Sequence, residues 1–278
     1  FPSPTFNHMI VKVVVDNNSF FIDPTSRFTK IKELPWSDED VFAFIIKPTG
    51  PAKIEKTPSS NSIDNIMNVD VVLNINDDMK VNVDFKVSST GVQENNSRYG
   101  FYDRKEKDIL DVVKSNFGGE LKDITIEDVK YSDPDSLNIP FEFNFNYTTS
   151  ELLQKIGEDY IIDLSDFLST PSARWLSEKE RKFDIWNSYP YEDYFNITIN
   201  YNNQKLKVKS LPSNITIPDE DYNYKRINLQ KSDSQLECKQ SFASYSTLIS
   251  KERYGDLKKF FADVKNADKE KIVFEVVK

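Results

Sequence analysis

Two neighbouring segments of the chain, residues 66–76 and 79–88, alternate apolar and polar side chains. Successive side chains of a β-strand point to opposite faces, so a period of two is typical of strands that bury one face. Asp77 and Asp78 separate the two segments and supply turn residues. The pattern therefore predicts a long, half-buried hairpin about a tight Asp77-Asp78 turn, with one face against a core.

The residue composition extends this prediction to most of the chain. Phe and Tyr number 20 and 13, Ile and Val are abundant, and there are only 7 Gly in 278 residues, a balance that favours strands over helices. Further strands are predicted over residues 41–47, 52–57, 120–131, 140–149, 160–164, 191–201, 224–231, 235–246 and 271–277. Two helices are predicted: one over residues 102–116, ending at Gly118-Gly119, and one that begins after Ser250.

A polar stretch divides the chain into two parts. Residues 58–62 contain proline, serine and asparagine without apolar periodicity, and we interpret them as a boundary between residues 1–57 and residues 58–278. The first part opens with a predicted hairpin, residues 8–15 and 19–23, around Asp16-Asn17-Asn18. The second part is predicted to be an antiparallel β-sandwich-like domain with two helices, so the fold class is mainly β, of the α+β type.

The first hairpin also has the residues with the most distinctive chemistry. His8 is the only histidine of the chain, and Asp23 ends the second strand. A thiol protease or acyl transferase needs an imidazole to form an ion pair with the thiolate, and a third group to orient that imidazole. With a turn at Asn17-Asn18, Lys12 lies opposite Asp23, and His8 is then about four residues, or roughly 13 Å, away along the ladder. This register leaves two other interpretations open: a structural histidine, and a cross-strand ion pair between Lys12 and Asp23.

The residues around His8 and Asp23 resemble a known pattern. Phe6-Asn7-His8-Met9-Ile10 and Phe21-Ile22-Asp23-Pro24-Thr25-Ser26-Arg27 are similar to the end of the catalytic core in bacterial transglutaminase-like proteins of the papain superfamily. The resemblance continues through Glu33-Leu34-Pro35 and Ile45-Ile46-Lys47-Pro48, and then through the β-rich C-terminal domain of such proteins. There it includes Glu180-Arg181-Lys182-Phe183-Asp184, Tyr189-Pro190-Tyr191, Ser210-Leu211-Pro212 and residues 254–261.

This resemblance implies a role for each of the two residues. His8 would be the general base and Asp23 the group that orients it, and residues 1–57 would be the last strands of a transglutaminase-like core. It also implies a bacterial protein that is exported to the periplasm or cell envelope. The partners would be a protein or peptide substrate, bound through the core, and the upstream part of the parent protein.

The nucleophile of such a site is absent from its expected place. In the family the cysteine precedes the histidine, whereas the only cysteine here, Cys238, lies far downstream in a predicted strand. A buried structural thiol is the better interpretation of Cys238. We therefore expect the C-terminal fragment of a transglutaminase-like cysteine acyltransferase or protease, inactive alone. The alternative is a non-catalytic envelope module for binding or structure, with a vestigial His-Asp pair.

Other classes of partner are not indicated. The formal net charge is −9 and the basic residues are interspersed with acidic ones, so the basic surface of a nucleic-acid-binding protein is not expected. A single cysteine allows neither an intrachain disulfide nor a cysteine-based metal cluster. The sequence predicts no cofactor and no metal ligand.

Overall fold

A computed structural model of the chain describes residues 6–16, 18–47, 49–117, 121–126, 128–167 and 174–277. In these residues the strands are β1 (Val11–Val15), β2 (Asn18–Ile22), β3 (Phe42–Ile45), β4 (Lys53–Lys56), β5 (Ile66–Ile75), β6 (Val81–Ser89), β7 (Val129–Tyr131), β8 (Phe141–Thr149), β9 (Leu153–Ile156), β10 (Asp159–Ile162), β11 (Ile185–Trp186), β12 (Tyr191–Asn200), β13 (Leu206–Ser210), β14 (Ile215–Pro218), β15 (Tyr222–Ser232), β16 (Gln235–Ser244), β17 (Leu248–Ile249) and β18 (Ile272–Val276). The α-helices are α1 (Gly91–Phe101), α2 (Glu106–Phe117) and α3 (Tyr254–Ala267). None of the described helices has the length and apolar character needed to span a bilayer.

The main sheet has eight strands in the order β14-β15-β16-β12-β5-β6-β8-β7. Its pairs are antiparallel except that of β12 with β5, which is parallel. Alternate residues of β5, β6, β8 and β12 are buried, as the period of two in the sequence predicts. One face of the sheet is therefore packed and the other is mostly polar.

The hairpin β5-β6 forms as predicted, but its turn is longer. The backbone N–H of Asn76 donates to the carbonyl of Lys80, and that of Met79 donates to the carbonyl of Asn76. Met79 has a φ of 65°, so Asp77, Asp78 and Met79 form a three-residue loop whose last residue is left-handed. The predicted tight Asp77-Asp78 turn is wrong, because Met79 is a third residue of the loop.

The packed face of the main sheet meets a second layer. A four-stranded sheet, in the order β13-β18-β10-β9, contributes Ile162, Leu206 and Phe274 to the core that β5, β6, β8 and β12 form. Helix α2 contributes Ile109 and Val113 to the same core. Helix α3 lies over β15 and β16, where a second cluster of buried side chains contains residues of all three elements. The predicted fold class, mainly β of the α+β type, is confirmed.

The helices differ from the prediction in number. Helices α2 and α3 correspond to the two predicted ones, whereas α1 was predicted as neither helix nor strand. Its buried side chains include Glu94, Asn95 and Arg98, so no apolar stripe marks it in the sequence. The strand predicted over residues 120–131 is also largely wrong: of its described residues only Val129–Tyr131 form a strand. Gly118-Gly119, the predicted end of α2, lie outside the described residues.

The described residues between 6 and 57 include two short hairpins, β1-β2 and β3-β4, and the loop between these hairpins contacts α1. In this loop Phe28 is completely buried, and its ring contacts those of Tyr99 and Tyr102 at 4.7 and 5.4 Å between centroids. Lys30 forms an ion pair with Glu94 at 2.6 Å. The loop after β2 is thereby attached to α1. The division at residue 57 stays a prediction.

Candidate functional site

The register of the first hairpin brings His8 close to Asp23. Lys12 pairs with Phe21, and Val11 pairs with Ile22. Continued by one residue, this register places Asp23 opposite residue 10, only two residues from His8. The predicted register, with Lys12 opposite Asp23, is wrong by two residues because Val15 pairs with Asn18; Asn17 of the predicted turn lies outside the described residues.

The two side chains are in contact. His8 Nε2 lies 3.2 Å from Asp23 Oδ2. Strand β1 begins at Val11, so His8 precedes the ladder and its side chain reaches Asp23 from an irregular segment. Lys12 does not pair with Asp23; its ammonium group forms an ion pair with Glu55 of β4. The alternative of a Lys12–Asp23 ion pair is therefore wrong.

Asp23 is fixed in position by the residues that follow it. Its Oδ1 accepts hydrogen bonds from the backbone N–H of Thr25 at 2.9 Å and from the Thr25 hydroxyl at 2.7 Å. Burial alone would raise the pKa of this carboxyl, but the hydrogen bonds from Thr25 and His8 outweigh burial, and the pKa is lowered. Asp23 is therefore an ionised carboxylate whose Oδ2 faces the imidazole.

A second carboxyl group, Asp38, lies beside the pair. It ends a short 3-10 helix, Trp36–Asp38, and its Oδ2 is 3.7 Å from His8 Nε2. Burial and the negative charge of Asp23 both raise the pKa of Asp38, against the opposing effect of His8. The sequence does not predict Asp38 as part of the site. Its only signal was its place shortly after Glu33-Leu34-Pro35, a segment that the resemblance included.

The second imidazole nitrogen of His8, Nδ1, is not used by the two carboxylates. Nε2 faces the carboxylates, and among the described residues no hydrogen bond is made by Nδ1. The side chain is 40% exposed. Since a carboxylate orients an imidazole through one nitrogen and a thiolate contacts the other, Nδ1 is the atom at which a nucleophile would be placed.

A polar cleft of about 240 Å³ lies beside Asp23. It is formed between the loop after β2 and helix α1, and its hydroxyl and carboxamide groups come from Thr25, Ser26, Thr29, Asn95, Asn96 and Tyr99. Trp36 forms part of its wall and contacts Trp186 at 5.6 Å between ring centroids. The cleft therefore offers neutral hydrogen-bonding groups and aromatic surface to a ligand.

Cys238 is not part of this site. It lies in β16, where it pairs with Ile197 and Asn228, and it is 1% exposed within the main core. Burial raises the pKa of its thiol to about 12. A neutral, inaccessible thiol is not a nucleophile.

Comparisons with known proteins match only part of the chain. Residues 160–274, less than half of the chain, match a family described as a domain of unknown function with a solved structure (DUF3858). No curated protein matches the chain. The crystal structure of a candidate protease from Parabacteroides distasonis ATCC 8503 aligns with 14% identity and a TM-score of 0.35 over 44% of this chain. The alignment spans 24% of that protein, and a likeness this weak carries no argument about fold or activity. His8 and Asp23 lie outside the matched family domain.

Proposed function

We propose that this chain supplies the histidine and the aspartate of a Cys-His-Asp site in a bacterial transglutaminase-like cysteine protease or acyltransferase. The cysteine would lie outside residues 1–278, so the chain alone would be inactive. The observation that supports this most strongly is the 3.2 Å contact between His8 Nε2 and Asp23 Oδ2, made by a side chain that is 40% exposed and whose Nδ1 has no hydrogen bond among the described residues.

The proposed chemistry is acyl transfer at an amide carbonyl. His8 Nδ1 would accept the thiol proton, the thiolate would attack the carbonyl carbon, and the imidazolium would then protonate the departing amine. Water or a second amine would attack the resulting thioester, with His8 again accepting a proton. Asp23 would stabilise the imidazolium through Nε2 and determine its orientation. Hydrolysis and transamidation differ only in this second nucleophile.

The proposed ligand of the polar cleft is a protein or peptide substrate. Its hydroxyl and carboxamide groups can exchange hydrogen bonds with peptide amides, and it shares Asp23 with the catalytic pair. A substrate bound there would lie beside Asp23, which contacts His8. The upstream part of the parent protein would be the other partner, and we place the protein in the periplasm or cell envelope as part of the same proposal.

The proposal is tested with the chain and with its parent. The chain alone should neither hydrolyse casein nor attach dansylcadaverine to it, with Cys238 or with Cys238→Ser. The parent should show one of these activities and lose it on His8→Ala. The control is Asp40→Asn, which removes a nearby exposed carboxylate that is paired with Lys56 and should leave the activity unchanged.

Iodoacetamide labelling separates the two thiols. In the native chain Cys238 should react slowly, and in denaturant at the rate of a free thiol, whereas the catalytic cysteine of the parent should react rapidly in the native state. Turnover by the chain alone that disappears on Cys238→Ser would show that Cys238 is the nucleophile. Full activity of the parent after His8→Ala would remove His8 from the mechanism.

The second candidate function is a binding module in which the His-Asp pair is vestigial. The observation that favours it is the aromatic pair beside the cleft, since the Trp186 side chain is 62% exposed while it contacts Trp36. Exposed aromatic rings next to hydroxyl and amide groups are suited to stacking on sugar rings. This candidate would be favoured by a parent that lacks an upstream cysteine and binds a soluble glycan. Addition of the glycan would change the tryptophan fluorescence of the wild type but not that of Trp186→Ala.

A further inference from the structure

We infer that His8, Asp23 and Asp38 form a binding site for one divalent metal ion of the zinc class. The ligand atoms would be His8 Nε2, Asp23 Oδ2 and Asp38 Oδ2, an imidazole nitrogen with two carboxylate oxygens. This inference goes beyond the proposed acyl transfer, which requires no metal, and it holds whether or not that proposal is correct.

The distances between the three residues suit such an ion. One donor atom from each residue lies within 4.8 Å of the others. Nε2 is 3.2 Å from Asp23 Oδ2 and 3.7 Å from Asp38 Oδ2. Two ligands bound to zinc at about 2.1 Å and at the tetrahedral angle are separated by about 3.4 Å. Small shifts of side chains are therefore enough to enclose the ion.

Asp38 supplies an independent indication of a ligand. Its Oδ2 is buried and has no hydrogen-bond partner among the described residues, and the residue as a whole is 7% exposed. A buried carboxylate oxygen without a hydrogen-bond donor is costly, because it has lost its water and His8 Nε2, at 3.7 Å, lies beyond hydrogen-bond distance. This oxygen faces His8 and Asp23, where a cation would satisfy it.

The surroundings of Asp23 fit a metal ligand as well. Thr25 donates two hydrogen bonds to Oδ1, which orients the carboxylate and leaves Oδ2 for the ion. Hydrogen bonds of this kind to a ligating carboxylate are common around metal sites. The three residues come from separate parts of the chain, the start of the first hairpin, its end and the Trp36–Asp38 turn, so the ion would link them.

Zinc on Nε2 has a chemical consequence for the proposed pair. An imidazole bound to a metal through Nε2 cannot also carry a proton there, so it cannot become the imidazolium that pairs with a thiolate. Metal binding and thiol chemistry would therefore exclude each other. Since the His8 side chain is 40% exposed, a water molecule would be the fourth ligand.

The test is isothermal titration calorimetry of the EDTA-treated chain with ZnCl₂ at neutral pH. We expect one ion per chain, and an affinity at least ten-fold weaker in both Asp38→Asn and His8→Gln. The control variant is Asp40→Asn. The Asp40 carboxylate is two residues from Asp38 but pairs with Lys56, so this variant should bind zinc like the wild type. Calcium should bind much more weakly, because it prefers oxygen ligands to an imidazole.

Thermal unfolding keeps the test decisive if a variant is poorly folded. Zinc should raise the melting temperature of the wild type and of Asp40→Asn, but not that of His8→Gln, a change at a partly exposed residue outside the strands. No zinc binding by the folded wild type, equal affinity in Asp38→Asn and wild type, or equal binding of calcium and zinc would each overturn the inference.

Discussion

At the scale of single residues, two neighbouring carboxyl groups have opposite environments. Asp23 accepts two hydrogen bonds from Thr25 and one from His8, and its pKa is lowered. Asp38 has the same histidine nearby but no donor of its own for Oδ2, and burial raises its pKa. Pairs of carboxyl groups whose pKa values are shifted apart are typical of functional sites. The pair therefore identifies the part of the molecule in which chemistry is expected.

A third carboxyl group, Asp193, gives a pH prediction away from this site. It lies on the packed face of β12, accepts a hydrogen bond from Gln93 of α1 at 2.9 Å, and is 7% exposed. Burial raises its pKa from 3.8 to about 7. The folded state thus keeps a proton that the unfolded chain loses near pH 4, so the free energy of unfolding should decrease as pH rises from about 4 to about 7. At about 1.4 kcal/mol per pKa unit, the decrease is about 3–4 kcal/mol.

Asp193→Asn tests this, because an amide resembles the protonated carboxyl. Urea unfolding of wild type and variant across this pH range should give a difference that grows with pH and favours the variant above pH 7. Asp84→Asn, an exposed carboxylate on β6, should leave the pH dependence unchanged. Parallel curves for wild type and Asp193→Asn would contradict the prediction.

What the sequence predicts about single residues depends on local pattern. His8 and Asp23 flank one hairpin, so the turn between them limits their separation, and the sequence predicts that they belong to one site. Asp38 reaches them only because the loop after β2 returns along α1, and a non-local path of this kind leaves no periodic signal. The same argument explains the register error. One residue in the turn decides which residues pair, and both Asp16-Asn17 and Asn17-Asn18 are acceptable turn residues.

At the scale of elements, α1 and α3 show which helices a sequence reveals. Helix α3 has Tyr254, Leu257, Phe260, Phe261 and Val264 on its buried face. Helix α1 instead buries Arg98, whose guanidinium binds Glu94 and the carbonyls of Pro134 and Ile139. Satisfied polar groups replace apolar ones on that face. Hydrophobic periodicity predicts the first kind of helix and misses the second.

The packing of α3 gives the prediction for this scale. The Phe260 ring lies 5.7 Å from that of Tyr222 on β15 and 6.3 Å from that of Phe242 on β16, and the residue is 4% exposed. Phe260→Ala would leave a cavity between helix and sheet and should cost about 3–5 kcal/mol in the free energy of unfolding. Phe183→Ala removes an identical ring that is 79% exposed and should change it by less than about 0.5 kcal/mol. Equal melting temperatures for the two variants would disprove the helix–sheet packing.

At the scale of the whole molecule, the position of residues 6–57 decides whether the candidate site exists in the isolated chain. The two hairpins and the residues next to them expose apolar side chains such as Met9, Phe42, Ile46 and Ile54, and they bury few. Their loop, in contrast, is attached to α1 by Phe28 and by the ion pair of Lys30 with Glu94. The ion pair of Arg27 with Asp135 attaches it to the loop between β7 and β8. His8, Asp23 and Asp38 are positioned through the loop between the hairpins. The site therefore depends on the contact of the first hairpins with α1.

Phe28 is the residue at which this dependence can be tested. Its ring is completely buried between Tyr99 and Tyr102. Phe28→Ala should therefore reduce the free energy that holds the loop against α1 by about 3–5 kcal/mol. Because the rest of the chain has its own core, the loss should be local. Amide hydrogen exchange should become faster in β1 to β4 and stay slow in β16 and α3, and trypsin should cleave after Arg27, Lys30 or Lys32.

The control variant is Phe42→Ala, which removes a ring that is 72% exposed and should change neither hydrogen exchange nor cleavage by trypsin. Faster exchange over the entire chain in Phe28→Ala would mean instead that residues 6–57 and the β-rich domain unfold as one cooperative unit, and that residue 57 is not a boundary in folding.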